Sequence, residues 1–145
     1  MDPSVTLFGP VDTLLAPVIG YVMLGLIVLN MVGRGIEYNR IAAQAETGAD
    51  AISRHPLRVA TNFLLVVGGF YYLTVERHAG LIVSLLVVGL FLTDFFEFES
   101  RKVEARQGWE VERPWGAIGA SAVALMYIAY QALFFLVEPL WSAVV

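Results

Sequence analysis

The chain has 145 residues, 58% hydrophobic and 15% charged, with nine Lys or Arg against thirteen Asp or Glu and a formal net charge of −4. With a mean hydropathy of +0.71, residues 1–145 read as a single integral membrane domain with no separate soluble domain. Cysteine is absent, which excludes disulfides, thiolate metal sites and iron–sulfur clusters together.

The stretch MDPSVTLFGPVD carries no basic residue, and the first positive charge, Arg34, follows the first apolar run. This is the pattern of a retained first helix inserted with its N-terminus outward, not of a cleavable signal peptide. The first span is predicted at residues 14–32, with Pro17 tolerated in its first turn. Residues 33–51 keep helical composition and extend that helix until Gly48 breaks it. His55-Pro56 ends the connection, because the residue before proline avoids the helical region. The second span is predicted at 57–75. Glu76, Arg77 and His78 with Gly80 then form a very short turn, which makes spans two and three an antiparallel hairpin.

The third span is predicted at 79–98, and its charge-free part, 79–93, holds fifteen residues. That is roughly 22 Å of helix, short of the about 30 Å of a hydrocarbon core. Phe95, Phe96 and Phe98 must complete the crossing, which draws Asp94 and Glu97 to the membrane rim. Residues 100–107 continue as a helical extension ended by Gly108, with Glu97 and Arg101 at i,i+4 able to pair. Pro114 opens a fourth span at 115–137, closed by Glu138-Pro139.

The basic residues are sorted along this plan. Arg34, Arg40, Arg54 and Arg58 fall between spans one and two, Arg101, Lys102, Arg106 and Arg113 between spans three and four, and Arg77 alone lies elsewhere. Cytoplasmic loops retain Lys and Arg, so the expected fold is an all-α four-transmembrane-helix bundle in the cell membrane. Its N-terminus and C-terminus are both extracellular, and its helices extend into the cytoplasm. Tyr71, Tyr72, Phe134, Phe135 and Trp141 toward one face, and Trp109 and Trp115 toward the other, match an interfacial aromatic belt. Lys102 is the only lysine and the pI is about 5.0. An acidic, lysine-poor composition points to an extreme halophile. In molar salt the Debye length is about 3 Å, so only contact ion pairs persist.

Three sets of residues are candidates for function. The first is a polar layer near the inner rim: Asn30, Asn62, Asp94 and Glu97, with Arg34 and Arg58 at similar depth. Ionisable groups inside a membrane often mark an ion or proton path. The simpler reading has the two carboxylates reaching headgroup water while Arg34 or Arg58 compensates them. The second set, Gly116, Ala120 and Ala124 at four-residue spacing with Gly68 and Gly69, marks close helix packing, within the bundle or against another subunit. The third, Tyr127, Tyr130 and Gln131, shares one helix face at mid-membrane. It serves interhelical hydrogen bonding or contact with a lipid or pigment.

His55 and His78 fall on opposite faces of the membrane, which rules out a bis-histidine haem within one chain. Glu76, His78 and Glu138 are too loosely placed to read as a metal site, so neither a metal nor a cofactor is expected. No nucleophile elbow, phosphate loop or HExxH pattern is present, and a membrane enzyme is the least supported class. Glu99, Glu104, Glu110 and Glu112 interleave with the nearby bases, so a nucleic-acid surface is not expected either.

The stretches FYYLTVERHAG (70–80), DFFEFESRKVEAR (94–106) and AYQALFFL (129–136) resemble a family of short uncharacterised haloarchaeal four-span membrane proteins. The resemblance implies the four-span bundle and a halophilic host, and it implies no activity or site residue. The expected function is a non-catalytic integral membrane subunit that packs against a larger helical complex. Membrane lipids, and other subunits or a second copy, are its expected partners. The alternative is a small homo-oligomeric channel or proton-coupled transporter using the Asp94/Glu97 layer.

Overall fold

A computed structural model describes residues 8–144. Five α-helices follow in order: α1 (Pro10–Leu15), α2 (Ile19–Ala45), α3 (Pro56–Val75), α4 (Arg77–Arg106) and α5 (Trp115–Val144). A 3-10 turn at Ala16–Val18, centred on Pro17, joins α1 to α2 and makes one run of 36 residues, Pro10–Ala45. That run and α3, α4 and α5 are each long and apolar enough to cross a membrane. The first helix therefore starts earlier than predicted. Pro10 occupies its first turn, where the missing N–H is harmless.

Punctuation follows backbone chemistry. Two of the glycines that end helices sit at positive φ, Gly48 at 127° and Gly108 at 72°, a region that side chains with a Cβ rarely enter. His55 caps α3, its Nδ1 accepting from the Leu57 N–H at 3.2 Å, with Pro56 following at the first helical position. The turn between α3 and α4 is tighter than the sequence predicts, since Glu76 alone is non-helical. Pro139 also fails to stop the last helix, which runs on to Val144. Proline forfeits one intrahelical bond, and flanking turns can carry the helix through that gap.

Each helix packs on its chain neighbours and α5 closes against α2. The buried stripes have coiled-coil spacing: Ile19, Met23, Ile27, Asn30, Arg34, Glu37 and Ile41 on α2, and Val83, Val87, Leu90, Asp94, Phe98 and Arg101 on α4. One half of the core is apolar, with Met23, Ile27, Leu65, Val87 and Ile128 at its centre. At the loop end a second cluster of Ile41, Ile52, Phe98 and Val111 lies beneath the connections.

The small residues fill internal seams. Gly68 faces the Met23 sulfur, Gly69 faces Ser84 and Val87, and Gly116 faces Thr93 and Glu97. Ala124 is fully buried, and Ala120 packs against the same core. The outer faces of all four long helices carry exposed large apolar side chains, among them Phe63, Leu85, Phe96 and Met126.

Candidate functional site

Between the apolar core and the loop end, the buried stripes turn polar on every long helix. Asn30, Arg34 and Glu37 come from α2, Arg58, Thr61 and Asn62 from α3, Asp94 from α4 and Ser121 from α5. Asp94 is the hub at 4% exposure. Its Oδ1 accepts from Arg58, and its Oδ2 accepts from Asn62 Nδ2 at 2.7 Å and from Arg54 at 2.9 Å. Arg58 is wholly buried, donates to the Asn30 carbonyl at 3.3 Å, and has Glu37 3.5 Å from its Nε. Glu37 also accepts from the His55 N–H at 2.9 Å and lies 3.7 Å from Arg54.

Asn30 ties α2 into the same network. Its side-chain Nδ2 donates to Thr61 at 2.9 Å and Asn62 at 2.7 Å, while its side-chain Oδ1 accepts from Arg34 at 2.9 Å. Arg34 reaches α5 through Ser121 Oγ at 3.0 Å. Two carboxylates and three guanidiniums are thus cross-linked across the bundle and the Arg54 loop. Arg54 and Arg58 pair directly with the carboxylates, while Arg34 is held by neutral oxygens alone; buried charges are costly unless paired and hydrogen-bonded.

Of the predicted polar layer, Asn30, Asn62, Asp94, Arg34 and Arg58 converge in this network. Glu97 does not. Three residues from Asp94, it turns to α5 and accepts from the Gly116 and Ala117 N–H groups at 2.7 and 3.2 Å. Those amides begin a helix and lack intrahelical acceptors, so a carboxylate there satisfies them and complements the helix dipole. Glu97 is consequently not paired with Arg101. That guanidinium bonds Glu104 and the carbonyls of Glu112 and Arg113, strapping the second loop to α4. Glu97→Ala is expected to cost about 1 kcal/mol and to speed amide exchange at Gly116 and Ala117. Unchanged exchange at both positions would refute the capping role.

Sequence reasoning missed Arg54, Glu37, Thr61 and Ser121. For three of them a signal was present: Glu37 continues the i+3/i+4 stripe through Asn30 and Arg34, Thr61 follows Arg58 by three, and Ser121 lies between buried Ala117 and Ala124. Arg54 sits in a connection and carries no such periodicity. It reaches inward across Phe98, its guanidinium 4.4 Å from the ring centre.

On α5, Gln131 donates to Tyr127 Oη at 3.2 Å, and Tyr130 is exposed beside Phe134. Tyr130 and Phe134 line an apolar groove with Trp141. Among the described residues no three His, Asp or Glu side chains are placed to hold a metal. His55 and His78 lie at opposite ends of α3.

These features define a class: an all-helical chain with four helices of membrane-crossing length, knit by an ionic network at one end. The chain belongs to the family described as Domain of unknown function (DUF7313), which matches residues 2–145. No curated protein and no solved structure matches the chain.

Proposed function

We propose that this is a multi-pass cell-membrane protein of an extreme halophile, acting as a non-catalytic subunit that packs against a larger helical complex. In this reading both termini lie outside and the connections 46–55 and 107–114 lie in the cytoplasm, which the sorted Lys and Arg support. The observation that carries the non-catalytic reading is the saturation of Asp94. An ion or proton path needs a carboxylate that exchanges its partners, whereas this one is held by Arg58, Arg54 and Asn62 at once. A carboxylate held by three donors at once ties its helices together and leaves little freedom to exchange partners. The exposed apolar faces on every long helix, and the wholly exposed final turns of α5 from Phe135 to Val144, favour packing against lipid and neighbouring helices.

The cysteine-free sequence supplies a clean test. Single cysteines at Glu46 and Trp109 should react with an impermeant maleimide only after the membrane is opened, and one at His78 should react in intact cells. Native purification in mild detergent should recover the chain in a larger complex. A stable monomer would refute the subunit reading, and proton flux in vesicles that Asp94→Asn abolishes without unfolding the protein would replace it with the homo-oligomeric channel.

A further inference from the structure

The network accounts for Arg54 and Arg58 but leaves two other arginines differently placed. Arg34 is 4% exposed, donates only to the neutral oxygens of Ser121 and Asn30, and its Nε has no hydrogen-bond partner among the described residues. Arg113 is exposed on the connection before α5, its guanidinium 4.9 Å from the centre of the Tyr38 ring. Neither makes an ion pair among the described residues.

Both arginines line one groove of about 460 Å³ between α2 and the start of α5, together with Tyr38 and Ser121. No carboxylate lines it, although acids outnumber bases in this chain by thirteen to nine. The nearby α5 N-terminus adds no free anion site, because Glu97 already occupies the Gly116 and Ala117 amides. The rest of the lining is largely apolar, including Val32, Ile36 and Ile118, and Val32 and Ile36 are exposed. A cationic pocket continuing into an exposed apolar track has the shape of an amphiphile. A free anion would make no use of the track.

We propose that this groove binds the phosphate of an anionic membrane lipid headgroup. Arg113 donates directly to the phosphate, and Arg34 supplies a fixed positive charge in the groove wall. The acyl chains run along Val32, Ile36 and Ile118. Arginine suits this role because its planar fork pairs with phosphate oxygens and is weakly hydrated. Basic pockets between membrane helices on the cytoplasmic side are the usual places for such headgroups. Glu37 and Asp94 lie on the far side of Arg34 but neither is within ion-pair distance, so an anion arriving from the bilayer supplies the direct partner that a buried charge favours. The inference rests on the membrane reading given above.

Native mass spectrometry of the full chain in mild detergent, titrated with phosphatidylglycerol or phosphatidylcholine, tests it. Phosphatidylglycerol should be retained about tenfold more strongly, the scale of one charge-assisted hydrogen bond. Arg113→Gln should remove that preference. Arg106→Gln, which deletes another exposed arginine outside the groove, should leave it intact. Arg113 is exposed, so its variant should keep the wild-type melting temperature, and that is measured alongside. Equal retention of the two lipids overturns the proposal, as does equal weakening by both variants. Stabilisation by inorganic phosphate alone that matches phosphatidylglycerol would assign the groove to a free anion and likewise overturn it. Flotation with phosphatidylcholine vesicles separates the two readings. A chain that inserts there but shows no lipid preference refutes only the lipid site, and one that fails to insert refutes the membrane reading beneath it.

Discussion

Asp94→Ala is expected to destabilise the folded protein by about 3–5 kcal/mol, the loss that follows when one partner of a buried ion pair is removed. The reason lies in what is left behind. Arg58 is completely buried and would keep its charge with only Glu37 at 3.5 Å as counterion, while the Asn62 amide would lose its acceptor. Thermal or denaturant unfolding in detergent reads the loss. The double variant Arg58→Met/Asp94→Leu separates charge from packing, since replacing both members of a buried pair with apolar groups is often neutral. It should recover most of the lost stability, with Glu37 still 3.7 Å from Arg54. A double variant no more stable than Asp94→Ala would show that the unpaired charge is not the source of the loss.

The second large effect is expected at Gly80. A one-residue link between α3 and α4 forces the first turn of α4 against the last turn of α3, and a Cβ on Gly80 would overlap the backbone of Leu73. Backbone on both sides leaves no flexible side chain to yield, so Gly80→Ala should cost about 1–3 kcal/mol through overpacking. Gly89, on the same helix, has open space where a Cβ would be. Gly89→Ala should therefore stabilise by about 0.5–1 kcal/mol, the ordinary gain for replacing a helical glycine. The opposite signs are the test. If both substitutions shift the melting temperature the same way, close approach at Gly80 is not what limits that site.

The four long helices were legible because each is an apolar run bounded by charge, glycine or proline, and those signals are local. The boundaries at Pro10 and Val144 were not. A proline reads as punctuation in sequence, whereas here Pro10 opens a helix and Pro139 is carried inside one. The polar layer was half legible. Asn30, Asn62 and Asp94 stood out as polar residues in or beside apolar runs, and depth alone grouped them with Arg34 and Arg58. Depth could not tell Asp94 from Glu97, which are one turn apart on α4. A rotation of some 60° about the helix axis sends one carboxylate into the core and the other to a neighbouring helix terminus. Arg54 was illegible because its role depends on a connection folding back over Phe98, and no periodicity encodes that.

The members of the ionic network are also unevenly ordered along the chain. Among the described residues, Glu37 is the one buried carboxylate that precedes or accompanies Arg34, Arg54 and Arg58 along the chain, and Asp94 follows more than thirty residues behind Arg58. Up to the end of α3 the chain therefore holds more buried positive charge than its buried carboxylate can neutralise. Because α4 follows α3 through a single residue, the helix that completes the second half of the hairpin also delivers the missing carboxylate. On the membrane reading proposed above, charge balance and helix insertion become one event, completed when α4 enters.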